Sequence, residues 1–135
     1  MGEESALVIG AGPAGLATAA MLQRAGVKTA VLSAGEVKKI ELGALEWVVT
    51  TSGGERRAPA VILATGSGNG LGSLVGHLGV LDRRGEPLVH AARTHPDAPG
   101  LYFVLSRRDA RAVARRVAYG PWTIRLPGIP RTRPA

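Results

Sequence analysis

The stretch ALVIGAGPAG at residues 6–15 decides the fold of this chain. Its first four residues form an apolar run, too short for a helix and bounded by glycine, which predicts a strand buried on both faces in a parallel sheet. Helix formers follow from Pro13 to Ala25, and Gly26 stands at the C-cap position. The second apolar run, Thr29–Leu32, completes a strand, helix and strand within about thirty residues. The chain therefore begins with a βαβ unit of an α/β fold.

The three glycines of the turn have separate steric roles. Gly10 allows the tight turn out of the strand, Gly12 lets the backbone approach a pyrophosphate, and Gly15 brings helix and strand close together. The helix that starts there points unpaired N–H groups and its positive dipole end at the phosphates. A glycine turn with a purely architectural role is the alternative interpretation. The context predicts a dinucleotide held by Gly10, Ala11, Gly12, Pro13, Ala14 and Gly15.

The residue that usually contacts the adenosine ribose is acidic and lies about twenty residues further on, at the end of the second strand. That position is Ser33, which can hydrogen-bond a ribose but lacks the charge of a carboxylate. Glu36 lies about one turn too late unless the loop folds back. A small residue at this position, with Lys38 and Lys39 nearby, also leaves room for a 2′-phosphate and hence for NADP. We rank FAD above NADP.

The middle of the chain predicts further strands. We expect Ser33–Gly43 to be a solvated connection, because no apolar pattern survives in it. Leu45–Thr51 and Ala60–Leu63 are strand candidates, separated by Ser52–Gly54 and the charged Glu55–Arg57, which predicts a hairpin or meander.

The second half of the chain predicts a loop, a strand and two helices. Gly66–Gly72 is predicted to be a loop because it holds four glycines. A short helix is expected over Ser73–Leu78, a strand over Leu101–Val104 and a helix over Arg107–Ala118. We therefore assign residues 1–118 to one domain and residues 119–135 to a basic, proline-rich tail that is extended.

Composition narrows the function classes. At 135 residues the chain suits one domain with one dinucleotide site. It has no cysteine, so redox chemistry must come from a cofactor. The acidic N-terminus and the glycine-broken first apolar stretch fit neither a signal peptide nor a spanning helix. We expect a cytoplasmic protein without a membrane partner.

The net charge of +7 favours polyanions without selecting one. Nucleic-acid binding is not favoured, because the late arginines lack interleaved aromatic residues or a known reader motif. His77, His90 and His95 are too scattered for a metal site. No side chain has the setting of a catalytic acid, base or nucleophile, so we assign no catalytic residue and no metal ligand.

Three segments resemble the flavin-containing monooxygenases and their relatives among the two-dinucleotide flavoproteins. Residues 8–16, VIGAGPAGL, resemble the FAD fingerprint, and residues 61–66, VILATG, resemble the ATG strand. Residues 78–82 with 94–104 resemble the approach to the closing strand and that strand itself. Together these segments span residues 6–118.

The resemblance implies a Rossmann-like, three-layer FAD-binding domain with a parallel sheet and a small β-hairpin or meander. The ADP half of FAD would lie on the Gly10–Gly15 turn, and Thr65 and Gly66 would lie near the cofactor. The last strand would pair beside the first, and the helix Arg107–Ala118 would cover the sheet. Such enzymes use NADPH and FAD to oxidise a soft nucleophile.

The departures from the family pattern are informative. Family members carry a second glycine fingerprint, for NADPH, in the interval that here shrinks to residues 34–60. Leu105 stands where the family has a glycine that approaches the flavin. The first hypothesis is an FAD-binding oxidoreductase resembling flavin-dependent monooxygenases. The alternatives are a non-catalytic module that binds FAD or NADP, and a basic nucleic-acid-binding protein.

Overall fold

A computed structural model describes residues 4–66 and 69–120. Its elements are β1 (Ala6–Ile9), α1 (Pro13–Arg24), β2 (Thr29–Leu32), β3 (Val37–Leu42), β4 (Trp47–Thr51), β5 (Gly54–Ala58), β6 (Ala60–Leu63), α2 (Asn69–Val75), β7 (Leu101–Phe103) and α3 (Arg107–Tyr119), with 3-10 turns at Ala34–Glu36 and Gly76–Leu78. The tail predicted for 119–135 lies outside the described residues from 121 onward.

The central layer is a four-stranded parallel sheet in the order β2-β1-β6-β7. β1 is fully buried, as its uninterrupted apolar sequence predicts. Its side chains alternate between the two faces, with Leu7 and Ile9 in one hydrophobic core and Ala6 and Val8 in the other. The buried sheet separates two cores, so the molecule has three layers.

Helices α1 and α3 cover one face of the sheet. Thr18 is fully buried in α1, where its hydroxyl donates to the Ala14 carbonyl at 2.8 Å. Gly26, at a φ of +84°, ends the helix, as predicted from its position. α3 buries Ala110, Val113 and Ala114, so the predicted covering helix is confirmed.

The three-stranded antiparallel sheet β3-β4-β5 and α2 cover the other face. Trp47 is fully buried, and its Nε1 donates to the Pro99 carbonyl at 2.9 Å, which ties this meander to the loop before β7. The Rossmann-like, three-layer fold with a parallel sheet and a small meander is therefore confirmed.

The strand assignment within the meander was wrong in two places. Residues predicted as a solvated connection form β3 over Val37–Leu42, because a register shift between Val37 and Lys39 conceals the alternation. The charged residues Glu55–Arg57 belong to β5, not to a turn, and β5 is the partner of β4. Ala60–Leu63 leaves the meander and pairs with β1.

Two further expectations were wrong. The last strand does not pair beside the first, because β6 lies between β1 and β7. β6 is buried along its length, as a central strand must be, whereas β7 has three residues and a partly exposed Tyr102, which suits an edge. The predicted loop Gly66–Gly72 turns into helix at Asn69, because burial of Leu71 outweighs the glycines.

Candidate cofactor site

The ends of the parallel strands meet at one edge of the sheet. The Gly10 amide donates to the Leu32 carbonyl at 2.8 Å, and the Ala64 amide donates to the Ile9 carbonyl at 2.8 Å. These two hydrogen bonds continue the pairing of the parallel strands by one residue beyond their carboxyl ends. The glycine turn, Ser33 and the segment Ala64–Gly66 therefore share the carboxyl edge.

The chain reverses its direction across the sheet at β1. From β1 it passes through α1 to β2 on one side, and it then returns through the meander to β6 on the other side. Ligands of open α/β sheets bind in the crevice that such a switch point leaves at the carboxyl edge. By this rule the crevice is expected between the β1–α1 turn and the segment after β6.

Gly10 and Gly15 are required by the protein itself. Gly10 has a φ of +116°, and a Cβ on it would lie 2.5 Å from the Ala64 carbonyl oxygen. A Cβ on Gly15 would lie 1.9 Å from the Gly10 carbonyl oxygen. Both contacts are with backbone, which cannot move aside cheaply. These two glycines let α1 pack against the ends of β1 and β6.

No contact among the described residues requires a glycine at position 12. Gly12 is exposed, its φ of −77° and ψ of −177° suit any residue, and a Cβ on it would meet nothing within 4 Å. The absence of a side chain at Gly12 leaves space directly in front of the first turn of α1. That space suits a group that approaches the backbone closely.

The N-terminus of α1 is open to an anion, whereas the N-terminus of α3 at the same edge is closed. α1 has no side-chain cap and no acidic residue in its first turn. In α3, the Ser106 hydroxyl accepts from the Asp109 amide at 3.2 Å, and the Asp109 carboxylate accepts from the Leu105 amide at 2.9 Å. The Ser106 hydroxyl thus satisfies one of the first-turn donors of α3, and the Asp109 carboxylate places a negative charge at this helix start. The S-x-x-D spacing at 106–109 could have predicted it.

Thr65 lies beside the glycine turn, since a Cβ on Gly10 would lie 3.2 Å from the Thr65 amide nitrogen. Its Oγ1 is buried and has no hydrogen-bond partner among the described residues. A buried hydroxyl without a partner is costly, so this atom is free to hydrogen-bond a group that enters from outside the described residues. Gly66 follows with a φ of +81°. Gly70 is a neighbour of Thr65, since a Cβ on it would lie 3.8 Å from Thr65 Oγ1, an ordinary van der Waals distance.

Ser33 lies at the end of β2, exposed and at the start of the Ala34–Glu36 turn. Its side chain makes no capping hydrogen bond, so the hydroxyl is available to a ligand. Glu36 stays in that turn and is exposed. Lys39 is on β3, where it pairs with Glu41 at 3.3 Å.

The predicted site residues thus all lie at the carboxyl edge of the parallel sheet. Three features fit the ADP part of a dinucleotide. They are the open space at Gly12, the start of α1 without a side-chain cap, and the Thr65 hydroxyl without a partner among the described residues. Leu105 is half-exposed at the end of β7, on the same edge. The resolved pKa shifts, at Asp82 and Tyr102, concern groups away from this crevice.

Residues 4–66 and 69–120 contain neither a metal-binding cluster nor a membrane-spanning helix. No three His, Asp or Glu side chains there are close enough to hold a metal ion. No helix in the same part of the chain has the length and apolarity to cross a membrane.

Residues 3–44 match the sequence model of a family described as an FAD binding domain, which supports FAD as the cofactor and agrees with the flavoprotein superfamily that the motifs predict. No curated protein matches the chain. Among solved structures, the chain is similar to the thioredoxin reductase of T. acidophilum, with 19% identity, a TM-score of 0.46, and 60% of this chain and 39% of that chain covered.

Two further structures are similar. The bacillithiol disulfide reductase of Staphylococcus aureus has 15% identity and a TM-score of 0.45, with 49% of this chain and 43% of that chain covered. A flavin monooxygenase from Stenotrophomonas maltophilia has 16% identity and a TM-score of 0.44, with 49% and 39% covered. The chain therefore spans less than half the length of the structures it matches.

Proposed function

We propose that this chain, whose residues 3–44 match an FAD-binding domain, holds FAD in the crevice between the glycine turn and the segment after β6. The observation that carries the proposal is the contrast among the three glycines. Gly10 and Gly15 are explained by backbone contacts within the protein, whereas Gly12 faces open space. A glycine kept free of protein contacts at an uncapped helix start is where a pyrophosphate would lie.

Each named residue then has a distinct binding role. Gly12 leaves the pyrophosphate room, and the amides of Ala14 and Gly15 are the unpaired donors in the first turn, since Pro13 has none. Ser33 offers its hydroxyl to the adenosine ribose. Thr65 gains from the cofactor the hydrogen-bond partner that it lacks among the described residues.

The reaction class that this site supports is an oxidation or reduction carried out by the flavin. When bound, FAD supplies electron-transfer chemistry that no side chain of this chain offers. The three motifs of the sequence favour a flavin-dependent monooxygenase within this class. Leu105 stands where a glycine approaches the flavin in that family, so its half-exposed side chain restricts access at the carboxyl edge.

A second candidate function is a dinucleotide-binding module without NADPH-dependent turnover. Residues 34–60, the interval in which the family carries its NADPH fingerprint, build only a 3-10 turn and the three strands of the meander. The meander packs its apolar side chains, including Ile40, Trp47 and Val49, against the parallel sheet. This interval therefore leaves no room for a second nucleotide-binding unit.

A visible absorption spectrum with and without NADPH tests both candidates. The purified protein should be yellow, release FAD on denaturation and take up added FAD when stripped. A colourless protein that takes up no flavin overturns the proposed function. Bleaching by NADPH under anaerobic conditions supports an NADPH-dependent flavin oxidoreductase, and an unchanged spectrum supports the dinucleotide-binding module without turnover.

Replacement of Thr65 by valine tests the geometry of the site. Thr65→Val keeps the side-chain shape and removes the unpartnered hydroxyl, so FAD should bind about tenfold more weakly while stability stays the same or rises by up to about 1 kcal/mol. Thr18→Val is the matched control, because the Thr18 hydroxyl is satisfied inside α1. Equal FAD affinity in both variants would remove Thr65 from the site.

A further inference from the structure

A cleft of about 660 Å³ lies between α3 and the loop before β7. Arg93 and Thr94 line it from the loop, and Arg115 and Arg116 line it from the second half of α3. α3 starts at the carboxyl edge and runs back along the sheet, so these arginines lie toward the edge opposite the cofactor crevice. The volume falls within the range of small-molecule sites.

The polar side chains that line this cleft can donate hydrogen bonds. They are three guanidinium groups and the Thr94 hydroxyl, and the lining contains no carboxylate. The four ion pairs between described residues involve none of these arginines. Like charges gathered without a counter-charge repel one another. An anion bound in the cleft would supply the counter-charge that the lining residues lack.

The loop wall of the cleft is held in an unusual backbone conformation. Ala92 has a φ of +66°, and within the described residues it is the one non-glycine residue with a positive φ. The adjacent Arg93 amide donates to the His90 carbonyl at 3.0 Å, which fixes the turn. Such strain persists where the surroundings require it, and it is concentrated at ligand sites. Here it places Arg93 opposite α3.

Tyr102 lies beside the other wall. Arg116 lies against the hydroxyl of this partly buried side chain, which stands on β7. An arginine held in this way loses less conformational freedom when it binds a ligand. Ala91, Ala92 and Ala112 provide the rest of the lining, and their small side chains leave the guanidinium groups accessible.

We propose that this arginine cleft, formed by Arg93, Thr94, Arg115 and Arg116, is a second anion site that binds a small organic phosphate. The three arginines that line the cleft carry enough positive charge for a multiply charged phosphate or pyrophosphate group, whereas a single carboxylate leaves two of them uncompensated. Guanidinium groups bind phosphate oxygens in bidentate pairs. The lining comes from one short loop segment and the second half of α3, and a lining of this size suits a small ligand better than an extended nucleic-acid backbone.

Calorimetric titration with sodium pyrophosphate at constant ionic strength tests this site. The titration uses the FAD-loaded protein and, separately, Gly12→Asp, so that the crevice at α1 cannot take the probe. We expect saturable binding in both. Arg93→Gln with Arg115→Gln should weaken it by at least about tenfold. Arg107→Gln with Arg108→Gln, on the same helix but outside the cleft, should leave it unchanged.

Three outcomes would overturn the proposal. The first is that pyrophosphate does not bind at millimolar concentration. The second is that the control pair weakens pyrophosphate binding as much as Arg93→Gln with Arg115→Gln does. The third is that the protein binds duplex DNA and both pairs of substitutions weaken that binding alike. The last result would assign the arginines to a nucleic-acid surface. If Arg93→Gln with Arg115→Gln fails to fold, Arg115→Lys serves instead, since it keeps the charge and should lose the bidentate contact. If the arginine cleft binds no pyrophosphate, the proposal that FAD binds at the start of α1 still stands.

Discussion

Substitution of Gly12 by aspartate should separate the stability of the protein from its affinity for FAD. The backbone at Gly12 suits any residue, and a Cβ there meets no protein atom within 4 Å. Gly12 is the N-cap of α1, a position that favours aspartate, and a negative charge at a helix start is stabilising. We therefore expect the free energy of unfolding to stay unchanged or to rise by up to about 1 kcal/mol, which is roughly 4 °C in Tm.

FAD affinity should change in the opposite direction. The new carboxylate would accept the amide donors of the first turn and would face the pyrophosphate. Two like charges at about 4 Å repel by about 4 kcal/mol at an effective dielectric constant near 20. That corresponds to nearly a thousandfold weaker binding. Gly12→Ala adds the methyl group without the charge and should weaken binding by about tenfold.

The assay is a titration of stripped protein with FAD, followed by flavin fluorescence, together with thermal unfolding followed by circular dichroism. Gly76→Asp adds the same charge at an exposed glycine whose Cβ would also meet nothing within 4 Å, and it should leave FAD affinity unchanged. If Gly12→Asp stays folded and binds FAD within threefold of the unsubstituted protein, the pyrophosphate does not lie at Gly12. A fall of more than about 8 °C in Tm would contradict the assignment of an open helix start.

Three further outcomes are expected. Gly15→Ala should destabilise the fold by about 3 kcal/mol or more, measured by urea unfolding, because its Cβ would lie 1.9 Å from the Gly10 carbonyl oxygen; a stable variant would refute that packing. Trp47→Phe should cost about 2 kcal/mol in the same assay, since it leaves the Pro99 carbonyl without its donor and opens a small cavity. Burial raises the pKa of Tyr102 above its usual value of 10.0, although Arg116 opposes the shift. Because the folded-state pKa is the higher one, the associated stability is complete below pH 10 and is lost as the pH rises through the raised value, so Tm should fall less steeply there in Tyr102→Phe.

The sequence predicted the βαβ unit more accurately than it predicted the meander. The βαβ unit was correct nearly to the residue, because buried strands, helix formers and Gly26 leave local signals within about thirty residues. The meander was harder, since charged residues occupy its exposed face. Lys38 and Lys39 made β3 resemble a loop, and Arg56, which pairs with Glu4 at 2.7 Å, sits in a strand rather than a turn.

The sequence by itself determined the glycine turn, the strand and helix on either side of it, and hence the class of ligand. Those features depend on residues that are neighbours along the chain, and each leaves a pattern of its own. Only the tertiary structure decided that β6 lies between β1 and β7, that Thr65 meets the turn with an unpartnered hydroxyl, and that Arg93 faces α3. It also separated Gly12, which is open, from Gly10 and Gly15, which the packing requires. These are contacts between residues distant in sequence, and they depend on which surfaces are buried together.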